Sequence, residues 1–172
     1  MNPMIQIYQA ESEQDLEQAE QLNLEYLSWC VEESQSRLGE TLDLKGLLGN
    51  SQVDRKAFMA ESGRLLLART DGLVGGIACL KKIRDDTCEI KRMFVRPQFR
   101  GRKIGENLLS RLIVEAMGIG YSRMLLDSDP YMTNAHSMYR SMGFAETEPY
   151  AEAEMDGDDY SRHMIYMELI LK

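Results

Sequence analysis

Lys91-Arg92-Met93-Phe94-Val95-Arg96-Pro97-Gln98-Phe99-Arg100-Gly101-Arg102-Lys103-Ile104-Gly105 is the stretch from which the fold can be read. Its first half continues an apolar, β-type run that begins at Thr87, and its second half opens onto Ile104, Leu108, Leu112 and Ala116, an apolar stripe at helical spacing. Between them lies a turn that carries Arg100, Arg102 and Lys103 with Gly101 and Gly105. The first amides of a helix have no intrahelical acceptor and sit at the positive end of its dipole, so a basic, glycine-containing strand-to-helix turn is shaped to hold an anion such as phosphate.

That local basicity stands out against the rest of the chain. The 172 residues hold 20 Lys and Arg against 28 Asp and Glu, a net charge of -8. An acidic chain lacks the continuous basic face that nucleic acid requires, so no nucleic-acid partner is expected, whereas one small anionic ligand is compatible. The length suits one domain spanning 1–172. No apolar run approaches the roughly 20 residues of a membrane span, and no signal-like segment opens the sequence, so a cytoplasmic protein with no membrane partner is expected. Cys30, Cys79 and Cys88 make neither an even framework nor a C-x-x-C pair. They read as reduced, packed thiols, and neither they nor the isolated His136 and His163 imply a metal. His136 reads as helix surface and His163 as part of the last strand. Met138, Met142, Met164 and Met167 sit at core positions, with Met93 and Met132 nearer a site.

Outward from the opening stretch, Met4 to Ala10 reads as a first strand. Ser12 with Asp15 three residues on reads as a capping box for a long helix patterned by Leu16, Ala19, Tyr26, Leu27 and Cys30. Residues 34–50 are mixed, with a loop and part of a second helix running to about Glu61. Arg64 to Thr70 and Leu73 to Lys82 flank Asp71-Gly72, the strongest short hairpin signal. Thr87 to Val95 follows the turn Arg84-Asp85-Asp86. The central helix ends at Gly118 and Gly120, and Ser122 to Ser128 forms another strand. Asp129-Pro130 reads as an N-cap with proline at the first helical position, opening a short helix that closes at Gly143. Phe144 to Thr147 and Arg162 to Leu171 are the last strands. Strands with helices inserted at the start, middle and end predict an α/β (α+β) domain with a mixed, mostly antiparallel sheet of about seven strands and helices on both faces.

Four stretches together resemble the GNAT superfamily of acyl-CoA-dependent N-acetyltransferases. Cys88 to Pro97 is similar to that family's fourth strand, and Arg100-Gly101-Arg102-Lys103-Ile104-Gly105 to its R/Q-x-x-G-x-G/A signature. Leu126-Asp127-Ser128-Asp129 through Ala135, Met138-Tyr139 and Gly143-Phe144 is similar to its fifth strand and following helix, and Tyr166-Met167-Glu168-Leu169 to its final strand. Two positions depart from the pattern: Lys103 stands where the signature has its first glycine, and Met132 stands where many members have an asparagine that contacts the pantetheine arm.

The resemblance implies splayed fourth and fifth strands and acetyl-CoA as co-substrate, with no metal. It implies transfer of acetyl to a primary amine, most readily that of a small molecule, by direct attack in a ternary complex. Main-chain amides of Met93, Phe94 and Val95 would meet the acetyl carbonyl and pantetheine. Arg100, Gly101, Arg102, Lys103, Ile104 and Gly105 would hold the phosphates. Tyr139, beside the cofactor sulfur, would protonate the leaving thiolate, and Glu89 would accept the proton of the amine. Tyr150 would line the acceptor pocket. The seven carboxylates Glu146, Glu148, Glu152, Glu154, Asp156, Asp158 and Asp159 would draw in a cationic amine. A CoA-binding module without turnover, and an enzyme acting on a protein or peptide amine, are the competing readings. A P-loop hydrolase is excluded, because no Lys-Ser/Thr follows Gly105. Homodimers are common among similar proteins, and no residue here fixes one.

Overall fold

The computed structural model describes residues 4–50, 55–153 and 159–172. Its elements in chain order are β1 (Gln6–Gln9), α1 (Glu13–Leu38), α2 (Leu44–Asn50), α3 (Arg55–Phe58), β2 (Arg64–Thr70), β3 (Leu73–Arg84), β4 (Thr87–Val95), α4 (Ile104–Ile119), β5 (Arg123–Ser128), α5 (Thr133–Ser141), β6 (Ala145–Glu146) and β7 (Ile165–Ile170). Short 3-10 turns occupy Pro97–Phe99 and Asp159–His163.

Local signals account for much of this. The Ser12 hydroxyl accepts the Asp15 amide and the Asp15 carboxylate accepts the Ser12 amide, so the capping box forms as read. The helix it starts is 26 residues long and ends at left-handed Gly39. It therefore outlasts the apolar periodicity, with Ser34 still buried in its penultimate turn. Asp71 and Gly72 both adopt positive φ, and Thr70 pairs directly with Leu73, a two-residue hairpin that matches the strand twist.

Seven strands form one sheet in the order β1-β2-β3-β4-β5-β7-β6. All neighbours are antiparallel except β4 and β5. Alternation along β2 and β3 divides the core between the faces. Leu66, Ala68, Ala78 and Leu80 pack under α4 with Leu108, Leu109 and Leu112, while Leu65, Leu67, Ile77 and Cys79 pack under α1 with Leu16, Ala19 and Leu22. The helices thus cover both faces, as expected. Among the described residues, no helix is long and apolar enough to cross a membrane.

Two features of β4 position the site. The parallel pairing with β5 covers only Thr87–Glu89 against Arg123–Leu125, after which the strands separate. At the point of separation Arg92 takes a φ of 55°, and the register with β3 shifts between Cys79↔Lys91 and Ile77↔Phe94. This is a β-bulge, and it reverses the alternation. Cys88 and Ile90 face the α4 side, but so do Met93 and Val95, while Phe94 joins the α1 side. The uninterrupted alternation that would put Glu89, Lys91 and Met93 on one face therefore fails at Arg92.

Candidate active site

The splay opens two adjoining clefts with empty volumes of about 760 and 1050 Å3, which share Tyr26, Met93 and Met132. The inner one lies between the separated strands, lined by Ile90 to Met93 from β4 and Leu126 to Asp129 from β5, with Tyr139 beside them. Leu42, Leu47 and Tyr160 also line it. The outer one runs along Met93, Phe94 and Val95 to Arg100 and Gly105 at the start of α4, with Trp29 and Met138 as walls.

At the outer end, the first main-chain bond of α4 runs from the Asn107 amide to the Lys103 carbonyl. The amides of the turn before it point out of the helix end. Gly101 and Lys103 are both left-handed, at φ 78° and 61°. A Cβ on Gly105 would come 3.3 Å from the Met138 sulfur, so glycine keeps the groove open where a chain passes the helix end. The residues present fit an elongated phosphate-bearing ligand.

The basic side chains of the turn are not equivalent. Arg100 donates to the Val95 carbonyl at 3.0 Å, lies over the Trp29 ring and lines the groove. Arg102 turns the other way, toward the β2–β3 hairpin, where it pairs with Asp71 at 2.9 Å over the Phe99 ring. Ile104 is buried in the core under the sheet, so only its main chain faces the ligand side. Arg96 ties α1 to the end of β4: its guanidinium holds both Glu25 oxygens at 2.8 Å and donates to the Val74 carbonyl.

Tyr139 is buried against Phe144, 5.6 Å between ring centroids, and lines the inner cleft. Burial, reinforced by the Asp127 charge, pushes its phenol well above the ordinary value, so it stays protonated and able to donate at neutral pH.

Glu89 and Tyr150 stand elsewhere than the sequence led one to expect. Glu89 is 0% exposed and accepts the Tyr150 hydroxyl at 2.7 Å. Its two oxygens also face the ammonium groups of Lys91 at 3.0 Å and Lys81 at 3.3 Å, and Lys91 reaches on to Asp127 at 2.8 Å. Tyr150 packs edge-on to Tyr166. Neither Glu89 nor Tyr150 lines either cleft.

Other expectations are corrected by position. Asp129-Pro130 does not start α5: the Met132 amide bonds back to the Asp129 carbonyl in a turn, and the helix begins at Thr133. His136 is buried rather than exposed, with Nε2 2.9 Å from the Ser128 hydroxyl, and burial lowers its pKa. His163 ends a 3-10 turn and meets Glu40. Of the acidic run, Glu146 pairs with Arg140 and Glu152 with Arg84, while Glu154, Asp156 and Asp158 lie outside the described residues. The three cysteines are buried and free of disulfides, and burial pushes each thiol up to about 12, so they act as packing groups. Among the described residues, no group of three or more His, Cys, Asp and Glu side chains is arranged to hold a metal ion.

Sequence reasoning missed Asp129 as anything but a cap. Its carboxylate lines the inner cleft, is 7% exposed, and accepts the Tyr160 hydroxyl at 2.6 Å. Tyr160 in turn bonds the Ser34 hydroxyl of α1. Tyr160 lies 31 positions from Asp129, and Ser34 lies 126 from Tyr160, so no local pattern could have announced them.

The model of the acetyltransferase (GNAT) family matches residues 6–144. An IAA acetyltransferase of Azospirillum brasilense is 35% identical over 121 residues, covering 70% of this chain and 77% of its own length. An uncharacterized N-acetyltransferase of Dictyostelium discoideum is 49% identical over 63 residues, which are 37% of this chain and 29% of that much longer one. The fold also matches the crystal structure of an acetyltransferase of the GNAT family from Staphylococcus aureus, with a TM-score of 0.75 at 18% identity over 98% of this chain and 100% of that one.

Proposed function

The chain belongs to the acetyltransferase (GNAT) family, and from that premise we propose that it moves the acetyl group of acetyl-CoA to the primary amine of a small molecule, by direct attack in a ternary complex. The observation that carries the reading is the continuity of the two clefts across the β4 bulge. An elongated thioester laid along the outer groove brings its reactive end to Met93, where the inner cleft with Tyr139 begins.

Each chemical requirement has a candidate group along the clefts. The α4 N-terminus and Arg100 suit the diphosphate. Among the described residues, no strand pairs with β4 past Glu89 on the β5 side, so main-chain groups of Met93 to Val95 that point away from β3 can meet the thioester carbonyl and the amide-rich arm. Fixed dipoles of this kind need no reorganisation as negative charge develops. Tyr139 supplies the proton for the departing thiolate. The apolar and aromatic side chains of Leu42, Leu47 and Tyr160 that also line the inner cleft suit a small acceptor.

A panel of amines (amino acids, amino sugars, polyamines and aryl amines, with one lysine peptide) incubated with acetyl-CoA and read by thiol release tests the reading. Turnover with at least one small amine in preference to the peptide is expected. Tight acetyl-CoA binding with no thiol release on any amine would instead make the domain a CoA-binding module.

A further inference from the structure

Resting on the reading of this site as an acetyltransferase centre, we propose that Asp129, not Glu89, is the group that takes the proton from the acceptor amine. A general base must reach the atom it deprotonates, directly or through one water. Glu89 is sealed between two lysines and Tyr150 on the paired half of the β4–β5 seam, and it does not reach the cleft. Asp129 directly follows the splayed half of β5 and lines the same cleft as Tyr139 and Met93. An amine that meets a thioester at Met93 therefore enters a space with two carboxylates on its β5 side, Asp127 already paired with Lys91 at 2.8 Å and Asp129 facing no such cation among the described residues, and with the Tyr139 phenol beside them.

The surroundings of Asp129 suit the task. From α1 it is faced by Tyr26 and the Cys30 thiol, with the Arg92 charge in the same cluster, and Ser34 reaches it through Tyr160. Asp127, on its own strand, is held by Lys91 at 2.8 Å. Tyr160 donates to it, the Tyr131 hydroxyl close by donates to the Cys30 carbonyl at 3.1 Å, and the His163 ring lies against Tyr160. Burial raises its pKa above the ordinary carboxylate value, an effect that outweighs the hydrogen bond from Tyr160. A carboxylate destabilised in this way binds a proton more strongly than one in water, which is what a base working near neutrality needs. Because Tyr160 is pinned to Ser34 as well, the carboxylate is held in one orientation.

The step balances as follows. An ammonium acceptor gives one proton to Asp129, which passes it to solvent. The nitrogen lone pair then forms the C–N bond at the thioester carbonyl, and the C–S bond breaks. Tyr139 gives its proton to the thiolate and recovers one from the nitrogen. The net release is one proton per acetyl transferred to an ammonium.

The plainer role for Asp129 is to dock the 3-10 turn at Tyr160, and Asp129→Asn separates the two, because asparagine still accepts the Tyr160 hydroxyl. Expected for Asp129→Asn is a fall in kcat of about 100-fold or more with loss of the acidic limb of the pH profile. Acetyl-CoA affinity should stay within about 3-fold, and the melting temperature of the ligand-free protein should be unchanged or higher. The sign follows from linkage: a carboxyl whose folded-state pKa is raised favours the fold when protonated, and loses that contribution as pH rises through the folded value. The gain from Asn should thus appear at neutral pH and fade in acid. Tyr160→Phe removes a hydrogen bond to the anion and should move the acidic limb to higher pH, while Tyr150→Phe, which removes the hydroxyl that Glu89 accepts and keeps the ring on Tyr166, should leave it in place. An Asp129→Asn enzyme with wild-type kcat and an intact limb overturns the assignment, as does a limb that moves with Tyr150→Phe and not Tyr160→Phe. A wild-type protein that releases no thiol with any amine overturns the acetyl-transfer reading and this inference together.

Discussion

The two halves of the β4–β5 seam are built from the same pair of strands and put charge to opposite uses. Where the strands pair, at Thr87–Glu89 and Arg123–Leu125, a buried carboxylate is surrounded by Lys81, Lys91 and Tyr150 and closed from solvent space. Where they part, beyond the Arg92 bulge, another carboxylate, Asp129, borders an open cleft and accepts the Tyr160 hydroxyl from the 3-10 turn. A charge compensated by opposite charges contributes to holding the sheet together, and removing one member strands the rest. A charge held by neutral donors keeps its affinity for protons and stays available for chemistry. One inserted residue in β4 separates these two environments.

Substitutions on the two sides should therefore fail in different currencies. On the open side, Tyr139→Phe should lower kcat by about 100-fold or more while leaving stability within about 1 kcal/mol, since the ring and its packing on Phe144 remain. Steady-state kinetics beside a melting curve checks this; equal loss in both would make Tyr139 a packing residue. On the closed side, Glu89→Gln should cost about 3 kcal/mol of folding stability, because two ammonium groups lose their shared anion. Its kcat, measured on the folded fraction, should stay within several-fold of wild type. Urea denaturation with parallel kinetics would expose the alternative, a stable variant with little activity, which would return the base role to Glu89.

The groove offers a finer version of the contrast, between two arginines two residues apart. Arg100→Ala should weaken acetyl-CoA binding by about 10-fold, or about 1.4 kcal/mol, with the deficit shrinking at high salt. Arg102→Ala should change it by less than about 3-fold, because that side chain is turned to Asp71 and its exposed pair is worth at most about 1 kcal/mol. Titration calorimetry at two ionic strengths tests both, and equal losses would mean that Arg102 leaves Asp71 for the ligand.

Much of the fold could be read from the chain because its signals are local. The capping box at Ser12, the Asp71-Gly72 turn, the Ile104 stripe and the closing glycines are each decided by residues within a few positions. The errors arose where geometry depends on distant partners. Pro130 resembles a helix start, yet the Asp129 side chain is engaged by Tyr160 and its carbonyl by Met132, so the helix waits until Thr133. The bulge at Arg92 carries no glycine to announce it. Glu89 looked like a base because its strand position matched, and only the approach of Lys81 and Tyr150 from other elements shows how it is enclosed. For the candidate site, residue types were legible; which of them share a cleft was not.

Lys103 gives the smallest effect and the sharpest test of the turn itself. Its φ of 61° lies in the left-handed region, where a side chain costs roughly 1–2 kcal/mol relative to the right-handed form, and it precedes α4 with no side-chain cap bond. Glycine removes that strain but adds freedom to the unfolded chain worth roughly 0.5–1 kcal/mol, so the two nearly offset each other. Lys103→Gly should therefore raise stability by no more than about 1 kcal/mol, about 2–4 °C in melting temperature for a chain of this size. Acetyl-CoA affinity adds the second half of the test. If the turn binds phosphate through its main chain, the glycine variant keeps the left-handed geometry and should bind within about 3-fold of wild type, with only a weaker salt dependence from the lost charge. If Lys103→Gly instead lost affinity to the same extent as Arg100→Ala, the lysine ammonium rather than the amide array would be the phosphate ligand at this position.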